Sequence, residues 1–143
     1  MAAAVVNHVG LCVSNVDRSR RFYEEVFGFV FQRQLSVPDE MASRLLRVPA
    51  PVGLTAVYLE RPGFVLELLH FGAWPASPAQ ERPLTETGLT HLSISVEDLA
   101  ASCRRVAKLG GQVLADTDMD GRAIMVRDPD GQLLELLPMS YRV

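Results

Sequence analysis

The sequence predicts an α+β fold made of two βαβββ modules. Three observations carry that reading: a pattern-level repeat between the two halves of the chain, period-two segments each followed by an amphipathic helix, and a tight-turn signal late in each half. In the repeat, Asn7-His8-Val9-Gly10-Leu11-Cys12-Val13 corresponds to Thr90-His91-Leu92-Ser93-Ile94-Ser95-Val96 at an offset of 83 residues. The same offset pairs Val16 with Leu99, Ser19 with Ser102, Arg21 with Arg104 and Gly28 with Gly111. Late in each half, Phe64-Val65-Leu66-Glu67-Leu68-Leu69 corresponds to Leu133-Leu134-Glu135-Leu136-Leu137 at an offset of 68. The first half therefore holds 15 extra residues, placed around Ser36 to Gly53, where prolines and a glycine interrupt the pattern.

Taken in order, residues 6–13 and 90–96 alternate apolar and small or polar positions, as half-buried strands do. A first helix is expected over about Val16 to Phe27, with Ser14 or Asn15 as N-cap and Gly28 as its stop. Val16, Ser19, Tyr23, Val26 and Phe27, with Phe22 beside them, form its inward face. A second helix is expected over about Leu99 to Leu109, capped by Glu97 or Asp98 and ended by Gly110-Gly111, with Leu99, Cys103, Val106 and Leu109 facing in. Three strands follow each helix: roughly 29–36, 54–60 and 64–71, then 112–116, 122–127 and 132–137. Arg127-Asp128-Pro129-Asp130-Gly131 is a strong hairpin signal, and Arg61-Pro62-Gly63 is its weaker twin. Residues 72–88 contain three prolines and read as a linker. The expected organisation is one compact domain over 1–143, with modules at 1–71 and 89–143.

Composition narrows the function classes. With 48% hydrophobic and 22% charged residues, the chain is globular in character. A net charge of −3 and the absence of a long basic run give no electrostatic case for nucleic acid. No apolar stretch approaches a membrane span, and the first residues, Met1 to Val6, lack a basic leader. Cys12 and Cys103 have no motif spacing, so a reduced, intracellular protein is the expectation.

The chemistry lies in the repeated residues. Strand parity puts His8, Gly10 and Cys12 on one face and Val9, Leu11 and Val13 on the other, and it opposes His91, Ser93 and Ser95 to Leu92, Ile94 and Val96. The aliphatic face suits packing on a helix. The small, polar face leaves room beside each imidazole for a ligand cavity. Glu67 shares a face with Val65, Leu69 and Phe71, and Glu135 shares one with Leu133 and Leu137. A carboxylate with only such neighbours is pushed toward neutrality, and a divalent cation removes that penalty. His8, Glu67, His91 and Glu135 form a mixed N/O set suited to one Ni, Co, Zn, Mn or Fe ion in open octahedral geometry. Against this stands the structural reading of each residue alone, a hydrogen-bonded histidine or an edge-facing glutamate. The paired recurrence favours the metal. His70 has the opposite parity to Glu67 and is expected to point away from this cavity.

Three segments then carry a resemblance: the Asn7-His8-Val9-Gly10-Leu11 opening, the run Arg21-Phe22-Tyr23-Glu24-Glu25-Val26-Phe27-Gly28-Phe29, and Arg127-Asp128-Pro129-Asp130-Gly131 leading into Leu134-Glu135-Leu136. Across nearly its whole length the chain resembles the vicinal oxygen chelate superfamily of glyoxalase I, methylmalonyl-CoA epimerase, extradiol dioxygenases, fosfomycin-resistance proteins and bleomycin-binding proteins. The resemblance implies a cupped mixed sheet around a metal site, with His8, Glu67, His91 and Glu135 as ligands, a small-molecule substrate, a cytoplasmic homodimer, and neither nucleic acid nor membrane as partner. Glu at position 67 matches the glyoxalase I pattern; epimerases tend to have Gln there, and a two-His, one-Glu site would not need it. The implied activity is a metal-dependent lyase or isomerase reaction that removes a proton next to a carbonyl, with Glu135 as base and Glu67 as the opposing carboxylate. The rival readings are an epimerase-like isomerase, an Fe(II) extradiol dioxygenase, and a non-enzymatic drug-binding protein.

Overall fold

The computed structural model describes residues 2–141; Met1, Arg142 and Val143, which bear on the reading of the chain start and the domain ends, lie outside the described residues. Contacts divide the chain into two compact units. One comprises the residues up to Arg20 together with Gly28–Ser77, and the other comprises Arg21–Phe27 together with the residues from Pro78 onward.

The first unit holds a four-stranded mixed sheet of β1 (Val9–Cys12), β2 (Val30–Val37), β3 (Leu54–Arg61) and β4 (Phe64–Phe71), in the order β1-β4-β3-β2. β1 runs parallel to β4, and the other neighbours are antiparallel. Pro62 and Gly63 make the β3–β4 turn, with Gly63 at φ 78°, a conformation that side chains with a Cβ resist. That turn sets the register opposing Tyr58 to Glu67, and β1 opposes Gly10 to the same carboxylate. The 15-residue excess folds as α2 (Asp39–Leu46) and a proline-rich return. Asp39 accepts hydrogen bonds from the amides of Val52 and Gly53 at 3.0 and 2.9 Å, which tie the two ends of the insertion and lower its carboxyl below the usual range. Ala42, Val52 and Leu54 form a small core there.

The second unit repeats the sheet with β5 (Leu92–Val96), β6 (Gln112–Leu114), β7 (Ile124–Arg127) and β8 (Leu133–Pro138), in the order β5-β8-β7-β6, with β5 parallel to β8. α3 (Leu99–Lys108) follows β5, and the Asp98 carboxylate accepts from the Ala101 amide at 2.8 Å as its N-cap. Asn15, its counterpart in the repeat, accepts from the Arg18 amide at 2.9 Å at the start of α1 (Val16–Phe27). Inside α3 the fully packed positions are Ser102 and Val106, while Leu99, Cys103 and Leu109 are half-buried.

Each module thus has the expected strand–helix–three-strand order, with α2 added in the first. Several strands are shorter than the alternation alone suggests. β1 begins at Val9 and β5 at Leu92, where pairing to β4 and β8 starts. β6 ends at Leu114 because Ala115–Thr117 turns into a 3-10 helix, closed by the Thr117 hydroxyl donating to the Leu114 carbonyl and accepting from the Met125 amide. By its contacts α1 is divided, with Arg21–Phe27 grouped in the second unit. There Tyr23 is wholly buried and its hydroxyl donates to Asp128 at 2.8 Å. Burial, followed by the Asp128 charge and hydrogen bond, raises the Tyr23 hydroxyl well above its usual pKa. No helix among the described residues is long and apolar enough to cross a membrane.

Candidate metal centre

Each unit brings one histidine and one glutamate together. In the first, His8 stands one residue before β1 and its Nε2 lies 3.0 Å from Glu67 Oε2 on β4. In the second, His91 stands one residue before β5 and its Nε2 lies 3.5 Å from Glu135 Oε2 on β8. Parallel pairing of the first and last strand of each module produces both juxtapositions. Each imidazole is also oriented by the residue before it: Nδ1 of His8 meets Asn7 Oδ1 at 2.6 Å, and Nδ1 of His91 meets Thr90 Oγ1 at 2.9 Å. Asn7 and Thr90 occupy equivalent places in the repeat.

These contacts fit a metal. With Asn7 Oδ1 as acceptor, the His8 proton sits on Nδ1, so in the neutral ring the Nε2 lone pair faces a carboxylate oxygen. Two acceptors so close need a proton or a cation between them. Two ligand atoms each about 2.1 Å from one ion stand about 3.0 Å apart at a right angle and about 3.4 Å apart at a tetrahedral angle; the His8–Glu67 pair at 3.0 Å matches the first, and the His91–Glu135 pair at 3.5 Å lies just beyond the second. Each pair by itself supplies two donors. Among the described residues, no group of three or more His, Cys, Asp or Glu is placed to hold a metal ion.

The carboxylates differ in how they are held. Glu67 is the more buried, with 12% of its side chain exposed against 28% for Glu135. Both Glu67 oxygens are engaged: Oε1 accepts from the Tyr58 hydroxyl at 2.6 Å, and Oε2 faces His8. The Tyr58 ring meets the His8 ring edge-on at 5.6 Å and carries the Arg33 guanidinium 4.9 Å from its centroid. Burial, then the hydrogen bond and charge of Glu67, raise the Tyr58 hydroxyl above its usual pKa. At Glu135 both contacts fall on Oε2, from the Ser93 hydroxyl at 2.7 Å and from His91. The residue opposite Glu135 on β7 is Met125, where the first unit has Tyr58.

Glu67 therefore does not sit among aliphatic side chains alone, as parity suggested, because β3 places a phenol beside it. The β3–β4 pairing opposes Tyr58 to Glu67 across its two-residue turn. Arg122 also escaped notice: it lines an open cleft with Glu135 and Tyr141. His70 lies on another cavity of the first unit, about 360 Å³, beside Cys12, Val48, Phe71 and Trp74.

Residues 5–136 match the family described as Glyoxalase/Bleomycin resistance protein/Dioxygenase superfamily. The chain belongs to that superfamily. It is 30% identical over 135 residues to a lactoylglutathione lyase of Arabidopsis thaliana, a match covering 91% of this chain and 42% of the plant protein, so it spans less than half of that relative. It is 27% identical over 137 residues to the metallothiol transferase FosB of Shouchella clausii, covering 92% of this chain and 77% of FosB. Among solved structures, the trypanothione-dependent glyoxalase I of Leishmania major is similar at TM-score 0.69 and 27% identity, over 92% of this chain and 84% of that one. A glyoxalase family protein from Bacillus cereus shares the fold at TM-score 0.79 and 20% identity, over 96% and 95% of the two chains.

Proposed function

We propose that this superfamily member is a divalent-metal-dependent lyase or isomerase of the glyoxalase I type, moving a proton next to a carbonyl in a small substrate with two neighbouring oxygens. One observation carries the reading: each unit sets an oriented imidazole Nε2 beside a carboxylate Oε2 at ligand spacing. His8, Glu67, His91 and Glu135 are the residues that would hold one ion. The bound cation would supply Lewis acidity, stabilising negative charge on a substrate oxygen as the adjacent proton leaves.

The chain's own groups divide the work. The histidines position and bind, each fixed by the side chain before it. Glu67, engaged at both oxygens, is suited to holding rather than to exchanging a proton. Glu135 lines an open cleft and uses Oε2 for both of its contacts, so it can take a substrate proton and return it to the neighbouring carbon. A homodimer in the cytoplasm belongs to the same reading.

The similarity to FosB supports a second reading, metal-dependent thiol transfer, in which His8, His91 and Glu135 suffice and Glu67 is dispensable. Metal analysis of the purified chain after exposure to Ni, Co, Zn, Mn and Fe tests both. One ion per chain is expected, with His8→Ala and His91→Ala each abolishing tight retention, and full retention in both variants sinks the site. Formation of S-lactoylglutathione from its hemithioacetal separates the first reading from the second.

A further inference from the structure

We propose that Ser93 is a positioning residue for Glu135: its hydroxyl holds Oε2 beside His91 and so keeps Oε1 free as the oxygen that takes the proton. This rests on the reading of Glu135 as the proton-transfer group and adds which oxygen reacts and what selects it.

The two oxygens of a glutamate are chemically alike, and rotation about the last side-chain torsion exchanges them readily. In a carboxylate that opens on a cleft, only a directed contact tells them apart. Ser93 supplies one. The β5–β8 pairing opposes it to Glu135, and its hydroxyl donates to Oε2 at 2.7 Å, the length of a charge-assisted bond. His91 Nε2 stands 3.5 Å from the same oxygen. A carboxylate oxygen accepts at about two positions, so these two neighbours occupy Oε2. Among the described residues Oε1 has no hydrogen-bond or ion-pair partner.

The first unit shows why the oxygens divide in this way. There the histidine and the hydroxyl come from opposite sides of β4: His8 precedes β1, and Tyr58 lies on β3. Each takes its own oxygen, His8 at Oε2 and Tyr58 at Oε1. In the second unit His91 and Ser93 both come from the β5 side of β8, two positions apart in the chain, and they meet one oxygen. On the other side Met125 stands opposite Glu135, and a thioether has no proton to donate. At the repeat offset of 83 the counterpart of Ser93 is Gly10, which carries no hydroxyl. Ser93 thus brings the hydrogen bond to the oxygen that already faces the imidazole, and the second oxygen is left to the cleft.

The test uses Ser93→Ala and Ser93→Thr; position 93 is exposed, so neither change disturbs the core. In the metal-free protein the side-chain carboxyl carbon resonance of Glu135, assigned by its loss in Glu135→Gln, should move in Ser93→Ala and stay close to wild type in Ser93→Thr. In the nickel-loaded protein, supplied with the hemithioacetal of methylglyoxal and glutathione, Ser93→Ala should lower kcat about tenfold, the value of one charge-assisted hydrogen bond, with KM within about twofold of wild type. Ser93→Thr, which keeps the hydroxyl on a side chain suited to a strand, should recover most of that loss. An unmoved resonance or an unchanged kcat in Ser93→Ala overturns the proposal, and so does a Ser93→Thr variant as impaired as Ser93→Ala. A wild type that takes up no nickel overturns the metal reading instead, and one that takes it up but forms no S-lactoylglutathione overturns the glyoxalase reading. The carboxyl resonance then decides the positioning alone: a shift in Ser93→Ala that Ser93→Thr reverses supports it, and any other pattern overturns it.

Discussion

The two His–Glu pairs share a backbone plan and diverge in the side chains around the carboxylate. Both place a histidine one residue before a strand, a side-chain partner on its Nδ1, and a glutamate on the parallel last strand of the module. The neighbours of the glutamate are exchanged. In the first unit the parallel neighbour is Gly10, where an added Cβ would come 3.4 Å from Glu67 Oε2, and the antiparallel neighbour, Tyr58, supplies the hydrogen bond. In the second unit the parallel neighbour, Ser93, supplies it and the antiparallel neighbour is Met125. A repeated fold can thus keep a His–Glu pair while burying one carboxylate with both oxygens engaged and leaving the other on an open cleft. The division of labour proposed for the two glutamates rests on that exchange.

Glu135→Gln should break the comparison most visibly, lowering kcat about 10²–10⁴-fold, the usual loss on removing a general base. Glu67→Gln should act first on metal affinity, measured by chelator competition. Equal kcat losses with unchanged metal binding in both variants would abolish the distinction. The next effect concerns the frame behind each carboxylate. Leu66 and Leu134 occupy equivalent places beside Glu67 and Glu135, and both are fully buried. Their replacement by Ala should each cost about 2–5 kcal/mol by denaturant titration, and a cost in one unit below half that in the other would show that the sheets are not equivalent supports.

Tyr58→Phe sharpens the contrast at smaller amplitude. It keeps the ring against His8 and removes the hydroxyl from Glu67, so metal affinity should fall about 10–100-fold, as for other groups that orient a ligand. Unchanged affinity would leave Tyr58 a packing residue.

The subtlest difference lies in the hairpin turns. Asp128 is buried in the second turn, where its carboxylate accepts from the Asp130 and Gln132 amides and from Tyr23, yet burial outweighs those bonds and raises its pKa. A carboxyl raised in the folded state contributes stability below its unfolded pKa and loses it as pH rises through the raised value. Asp128→Asn should remove that fall, flattening stability against pH over the range above the ordinary carboxylate pKa. An identical slope in the two proteins would contradict the assignment. The first turn, Pro62-Gly63, has no such buried acid.

Much of this was legible beforehand. The repeat offset of 83 marks His8 and His91 as matched imidazoles and narrows the caps to Ser14 or Asn15 and Glu97 or Asp98, because caps and strand starts obey local rules; the structure selects Asn15 and Asp98. The offset of 68 aligns the glutamates through their hairpins. Helix α2 was hidden, since eight residues between prolines carry too little periodicity to announce a helix. Tyr58 and Arg122 were hidden for another reason: one becomes relevant through cross-strand register, the other through the turn that carries it to the cleft of Glu135.

Sequence by itself determined the two modules, their strand–helix order and the four ligand candidates, because turns, caps and alternation are set by neighbours in the chain. Tertiary structure alone decided that Arg21–Phe27 belongs to the second unit, where Tyr23 meets Asp128 across 105 positions. It also decided that Glu67 is clamped by a phenol while Glu135 opens on a cleft with Arg122. Those outcomes depend on which distant side chains are brought to one place, and no local pattern encodes that.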